Sequence, residues 1–141
     1  MNLHRADRHP ALNAYLQRLQ PRLPAARADR PGGTVVLVFR EGLRVTFHPV
    51  GRGDLVLEAR IMDLSERSPA DVGALCKRAL ELAGQRPWHH VDGMAVSPDG
   101  SALQLHLWVP ADCSVQGLEQ QVDDFLSALT SWRSAMGLES A

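Results

Sequence analysis

Two adjacent histidines, His89 and His90, with Asp92 close behind, are the grouping in this chain that most resembles a set of metal ligands. Successive residues on an extended chain point to opposite sides, so the two rings do not readily reach one ion. No HExxH or CxxC spacing supplies the missing ligands, and the expectation is a polar loop leading into a strand, with no metal. Gly32 and Gly33 lead into a predicted strand, and Gly42, Gly51 and Gly53 fall between predicted strands; none opens a helix. A phosphate cradle needs a helix N-terminus directly after its glycines, so these are read as turns. The serines gather at helix starts, in turns and near the C-terminus, and none sits in a nucleophile elbow. Glu119, Asp123 and Asp124 fall on the polar side of the last predicted helix. Glu58 and Arg60 share one face of a predicted strand, where a cross-strand polar patch accounts for them. A catalytic triad is spatial and stays open at this level. So does a small enzyme, provided that a deep polar pocket holds His48, His90 or His106 beside a carboxylate. The expectation is no catalytic residue and no cofactor.

Whatever these side chains do, the elements that carry them belong to an ordinary globular chain. Its 141 residues make one domain's worth, with 45% hydrophobic and 22% charged residues. The formal charge of −1 argues against a nucleic-acid footprint, which needs a clearly basic face. Arginines at 5, 8, 18, 22, 27 and 30 make the first stretch locally basic. A nucleic-acid binder using them would show strongly salt-dependent binding; a solvated, partly mobile segment is the simpler reading. Cys76 and Cys113 are too few for a disulfide framework and are read as reduced cysteines of a cytosolic protein. The longest apolar run, Val35 to Phe39, is far short of the ~20 residues of a membrane span. No apolar stretch follows His4, Arg5 and Arg8, so no secretory signal is expected.

Periodicity sets out the elements. Pro10 opens a helix striped by Leu12, Tyr15, Leu16 and Leu19, which Pro21 and Pro24 stop. Ala25 to Gly33 reads as a polar, turn-rich connector. Three strands with short turns follow: Thr34 to Arg40, Leu43 to His48, and Asp54 to Met62. In the second of these Leu43, Val45 and Phe47 share a face opposite Arg44, Thr46 and His48; in the third, Leu55, Leu57, Ala59 and Ile61 share one. Ser68 is a natural N-cap, with Pro69 at the first position and Asp71 three residues after the cap. Val72, Leu75, Cys76, Ala79, Leu80 and Ala83 form the apolar face of that helix, which Gly84 ends. A hairpin turning at Pro98–Ser101 joins Val91–Ser97 to Ala102–Val109. A last helix runs from about Ser114 to Met136, with a seam from Val115 through Phe125 to Met136. The order is α-β-β-β-α-β-β-α: an α+β fold with a five-stranded antiparallel sheet and helices on one face. Residues 10–137 are one domain between a flexible start, 1–9, and a short tail, 138–141.

Apolar supply exceeds what such a monomer covers. The first strand is apolar on both faces, with Val35, Leu37 and Phe39 on one and Val36 and Val38 on the other, and Trp108 stands opposite the leucines of its strand. One layer of helices covers one face of a sheet, so part of the remainder meets another chain, unless the first strand is a buried central one.

This order and several segments resemble the class I type III secretion chaperones, the Tir-chaperone-like family. The segments are EGLRVTFHP followed by GDLVLEARIMDL, then SPADVGALCKRALELAG, VSPDGSALQLHLWVP and the closing VDDFLSALTSWRSAMG. The likeness runs from about Ala11 to Gly137. It implies a homodimer built through the second helix and the fourth strand, with Val72, Leu75, Cys76, Ala79, Met94 and Val96 at the interface. It further implies that an effector's N-terminal region wraps in extended form around the dimer, on the first helix and first three strands. Leu12, Leu16, Leu19, Val36, Val38, Val45 and Phe47 are then its contacts. The function implied is a cytoplasmic, virulence-associated effector chaperone without enzymatic activity, or a regulator of the same fold that sequesters another regulator. Family members are usually strongly acidic. This chain, near neutral and arginine-rich at its start, departs from them and implies a client of different charge balance or a broader client range.

Overall fold

The computed structural model describes residues 10–19, 27–39, 42–85 and 92–137. The chain runs α1 (Pro10–Leu19), β1 (Arg27–Asp29), β2 (Val35–Val38), β3 (Arg44–Val50), β4 (Asp54–Asp63), α2 (Pro69–Ala83), β5 (Asp92–Val96), β6 (Ala102–Val109) and α3 (Val115–Ala135). The starts of both long helices follow from their caps. Ser68 accepts a hydrogen bond from the Asp71 amide, and Ser114 accepts one from Gly117, each satisfying an amide that the first turn leaves without a partner. The tip of the last hairpin is held by Asp99, whose Oδ1 accepts from the Ser101 amide and from the hydroxyls of Ser97 and Ser101. These bonds to its charged form draw the Asp99 carboxyl down to about 2.

Among the described residues the sheet has six strands in the order β1-β2-β3-β4-β6-β5, all neighbours antiparallel. The expected count of five is corrected by β1, which pairs Arg27 to Asp29 with Leu37 to Val35 inside the stretch read as a connector. Nothing in the alternation of Arg-Ala-Asp marks a strand, since all three residues are exposed. Backbone pairing alone makes it one. Its presence turns β2 from an edge into an interior strand, flanked by Ala28 on one side and Thr46 on the other at Val36. Val36, on the face opposite the core, is only 5% exposed.

Alternation sorts the side chains to two faces. Val35, Leu37, Val45, Phe47, Leu55, Leu57, Ala59, Leu103, Leu105, Leu107 and Val109 turn to one face and join Leu12, Tyr15, Leu16, Leu118, Val122, Phe125, Leu129 and Trp132 in a single core. Tyr15 packs its ring 6.1 Å from that of Phe47, and burial pushes its hydroxyl well above the usual range. A register shift between Arg60 and Met62 places Ile61 and Met62 both inside. Arg133 of α3 donates to the carbonyl of Arg60 at that bulge, and Arg78 of α2 donates to the carbonyl of Ala135. α2 meets the core at Ala79, its one buried residue, and packs the half-buried Val72, Leu75, Leu82 and Ala83 against it.

Candidate functional site

Of the seven residues expected to meet a client, four lie in the interior. Leu12, Leu16, Val45 and Phe47 are at most 5% exposed, because the stripe of α1 and the alternate face of β3 turn toward each other. In the single chain a partner cannot touch them, and they shape the surface only from beneath. Val36, also buried, and the half-buried Val38 lie on the other side of the sheet. Leu19 ends α1, and its side chain lies outside the described residues. The expected interface set divides differently. Ala79 belongs to the core, while Val72, Leu75, Cys76 and Met94 are half-buried and Val96, on the edge strand β5, is exposed. Leu80, part of the same helical stripe but not among the expected contacts, is 72% exposed. The core takes a narrower strip of α2 than its apolar face offers. That excess width was the available signal for Leu80.

The face of the sheet opposite α1 and α3 carries the polar chemistry. Cross-strand register lines up Thr46, Glu58 and His106 in one row and His48, Val56 and Trp108 in the next. Glu58 is flanked by two rings: His106 Nε2 lies 3.3 Å from its Oε1, and His48 Nε2 lies 3.5 Å from its Oε2. His106 Nε2 is also 3.2 Å from Gln104 Oε1. The His48 nitrogen is shut off from water without a hydrogen bond of good geometry. Bonding and attraction from His48, together with the charge of His106, hold the Glu58 carboxyl below its usual range against the opposing effect of partial burial. Trp108 beside them is 56% exposed.

This arrangement brings two of the three candidate histidines to a carboxylate. It does so on an open sheet surface, where the side chains keep 35%, 35% and 29% of their area for His48, His106 and Glu58. His89 and His90 lie outside the described residues. Among the described residues no group of three or more histidine, cysteine or acidic side chains could hold a metal ion. Among them too, no helix is long and apolar enough to cross a membrane.

Residues 7–133 match the model of the Tir chaperone protein (CesT) family. The chain belongs to that family. Its fold is shared by a chain solved in the crystal structure of the ExsC-ExsE complex. The two are 18% identical, with a TM-score of 0.63 over 95% of this chain and 96% of that one. No curated protein matches the chain in sequence. CesT membership agrees with the resemblance carried by the β3–β4, α2, β5–β6 and α3 segments, and the sixth strand lies within the matched span.

Proposed function

We propose that this protein is a cytoplasmic type III secretion chaperone. It holds the extended N-terminal region of a secreted effector and acts as a homodimer. The observation that carries the reading is apolar surface left uncovered on a chain of a chaperone family: Trp108 on the open sheet face, and Leu80 and Val96 on α2 and β5. A second copy covers α2 and β5, with Val72, Leu75, Cys76, Met94 and Val96 around Leu80, and Ala79 fixes the helix from below. The client lies along β2 and β3 beside Val38, with the buried Val36, Leu12, Leu16, Val45 and Phe47 beneath it and Leu19 at the end of α1. Holding is an equilibrium between binding and release and needs no chemistry. Ordering a disordered segment buries about 1,000–3,000 Å² and costs several kcal/mol of entropy, which the apolar contacts offset.

The same surface serves a second reading, in which the partner is a regulator of the secretion system and binding titrates it. The family match and the likeness to a chain crystallised in a two-protein complex support a protein partner in both cases. Co-purification from the native cell separates them. A chaperone retains a secreted protein through its N-terminal region, and deleting that region from the client abolishes retention. Recovery of an anti-activator or transcription factor instead selects the regulator. Retention of neither removes both.

A further inference from the structure

We propose that β1 is a displaceable guard strand: it occupies the edge of β2 in the free protein and yields it to an extended client segment that alternates apolar and polar residues. The inference rests on the reading that the protein holds an extended segment along β2, and adds how that place is kept and what opens it.

β1 is the outermost strand on its side of the sheet, and Arg27, Ala28 and Asp29 are all exposed. It buries no side chain of its own, so backbone bonds to β2 hold it. The Arg30 amide donates to the Thr34 carbonyl at 2.8 Å. Amides that face a neighbouring strand recur at every second residue, so the Ala28 amide faces β2 as well, and those of Arg27 and Asp29 face away. The Arg27 guanidinium donates to both carboxylate oxygens of Asp29, at 2.8 and 3.1 Å, a pair made within the strand itself. Elements with few buried apolar contacts and exposed backbone bonds open locally while the rest of the fold stays closed. The turn that folds β1 back, Pro31–Gly33, holds Gly32 and Gly33 both at φ 84°, and a side chain added at Gly32 would meet nothing within 4 Å. β1 can swing about this turn without striking the domain.

Register says what replaces it. Residues opposite one another on neighbouring strands share a face, so Arg27 and Asp29 stand on the core side of the sheet. One row runs Leu107, Leu57, Phe47 and Val35, all in the core, and ends on Asp29. The next carries Val45 and Leu37 and ends on Arg27. A segment with apolar residues in these two places continues both rows, and the polar residue between them takes the place of Ala28 beside Val36. It remakes the backbone bonds of β1 and adds apolar contacts that β1 lacks. A segment without that alternation gains nothing over β1 and is kept out.

The probe is a fluorescein-labelled twelve-residue peptide alternating leucine and threonine; the control alternates serine and threonine. Fluorescence anisotropy is expected to show the native protein binding the leucine peptide at least about tenfold more tightly than the control. A28C/V36C locks β1 to β2, since Cα atoms about 5.5 Å apart across such a pair suit a disulfide. Oxidised A28C/V36C is expected to lose the leucine peptide and dithiothreitol to restore it. The same treatments leave the native protein, with Cys76 and Cys113, unchanged. Ala28→Pro removes an inward amide at an exposed position and populates the open strand, tightening the leucine peptide by about twofold to tenfold. Equal binding by oxidised and reduced A28C/V36C, no tightening in Ala28→Pro, or no preference for leucine over serine overturns the proposal. Retention of a client by the locked protein sinks this inference alone. Peptide binding that locking abolishes, in a protein that retains no client, sinks the chaperone reading alone.

Discussion

Individual side chains divide into those whose loss the whole fold feels and those whose role is local. Phe47 is fully buried beneath α1 against Tyr15, so Phe47→Ala leaves a cavity that the surrounding strands cannot close. The expected loss is about 3–5 kcal/mol, measured by urea denaturation. Against a total of about 5–15 kcal/mol for a typical domain, that is a large share. Asp99 is a local case with a pH signature. Its carboxyl, ordinarily at 3.8, is drawn to about 2 in the folded chain by Ser101 and Ser97. A depressed carboxylate contributes stability above its unfolded value and loses it as pH falls through the folded one. The melting-temperature gap between the native protein and Asp99→Asn should therefore be complete above about pH 4 and close toward about pH 2. A gap that stays constant over that window means the serine bonds do not favour the ionised form.

At the scale of elements, the two long helices are expected to depend on their caps. Ser68→Ala and Ser114→Ala should each cost about 1 kcal/mol in chemical denaturation, because each frees one first-turn amide. If either substitution is neutral, water replaces the hydroxyl and the cap carries no net stability. The Ser68 cap was legible in the sequence because its signal is local: a serine, a proline and an acid at fixed offsets before an apolar stripe. The Ser114 cap was not, because Val115, Gln116 and Gly117 carry no such signal. The β3–β4 meander and the β5–β6 hairpin were legible as Ser68 was, through alternation and turn residues. β1 was not, because Arg27, Ala28 and Asp29 carry no hydrophobic alternation and owe their conformation to hydrogen bonds with β2. Arg27 and Asp29 instead pair with each other at 2.8 Å, leaving a short charged edge of the kind that resists unwanted strand addition. The site suffered from the same limit. His48, Glu58 and His106 come from three strands, and only the register of β3, β4 and β6 puts them in contact. Likewise, a helical stripe tells which residues of α1 and α2 share a face, but not whether that face meets the core or a partner.

The whole molecule turns on how much apolar surface one copy leaves open. α2 touches the core through Ala79 and the half-buried Val72, Leu75, Leu82 and Ala83 but carries Leu80 outward, 72% exposed, while Val96 stands exposed on β5, the last strand of the sheet. If a second copy covers this region, Leu80→Glu places a charge in an apolar contact without disturbing the interior of either protomer. The expected product is a folded monomer: light scattering reports half the native mass, and far-UV circular dichroism is unchanged. Ala79→Asp differs in kind, because Ala79 is 2% exposed and the carboxylate would be driven into the core. It should lower the melting temperature and solubility instead of merely halving the mass. The pair separates an interface from a folding defect, which a substitution at the half-buried Leu75 would not. A Leu80→Glu protein that remains dimeric would place self-association elsewhere. The leucine would then be open to a client, and loss of client retention with the dimer intact would be its signature.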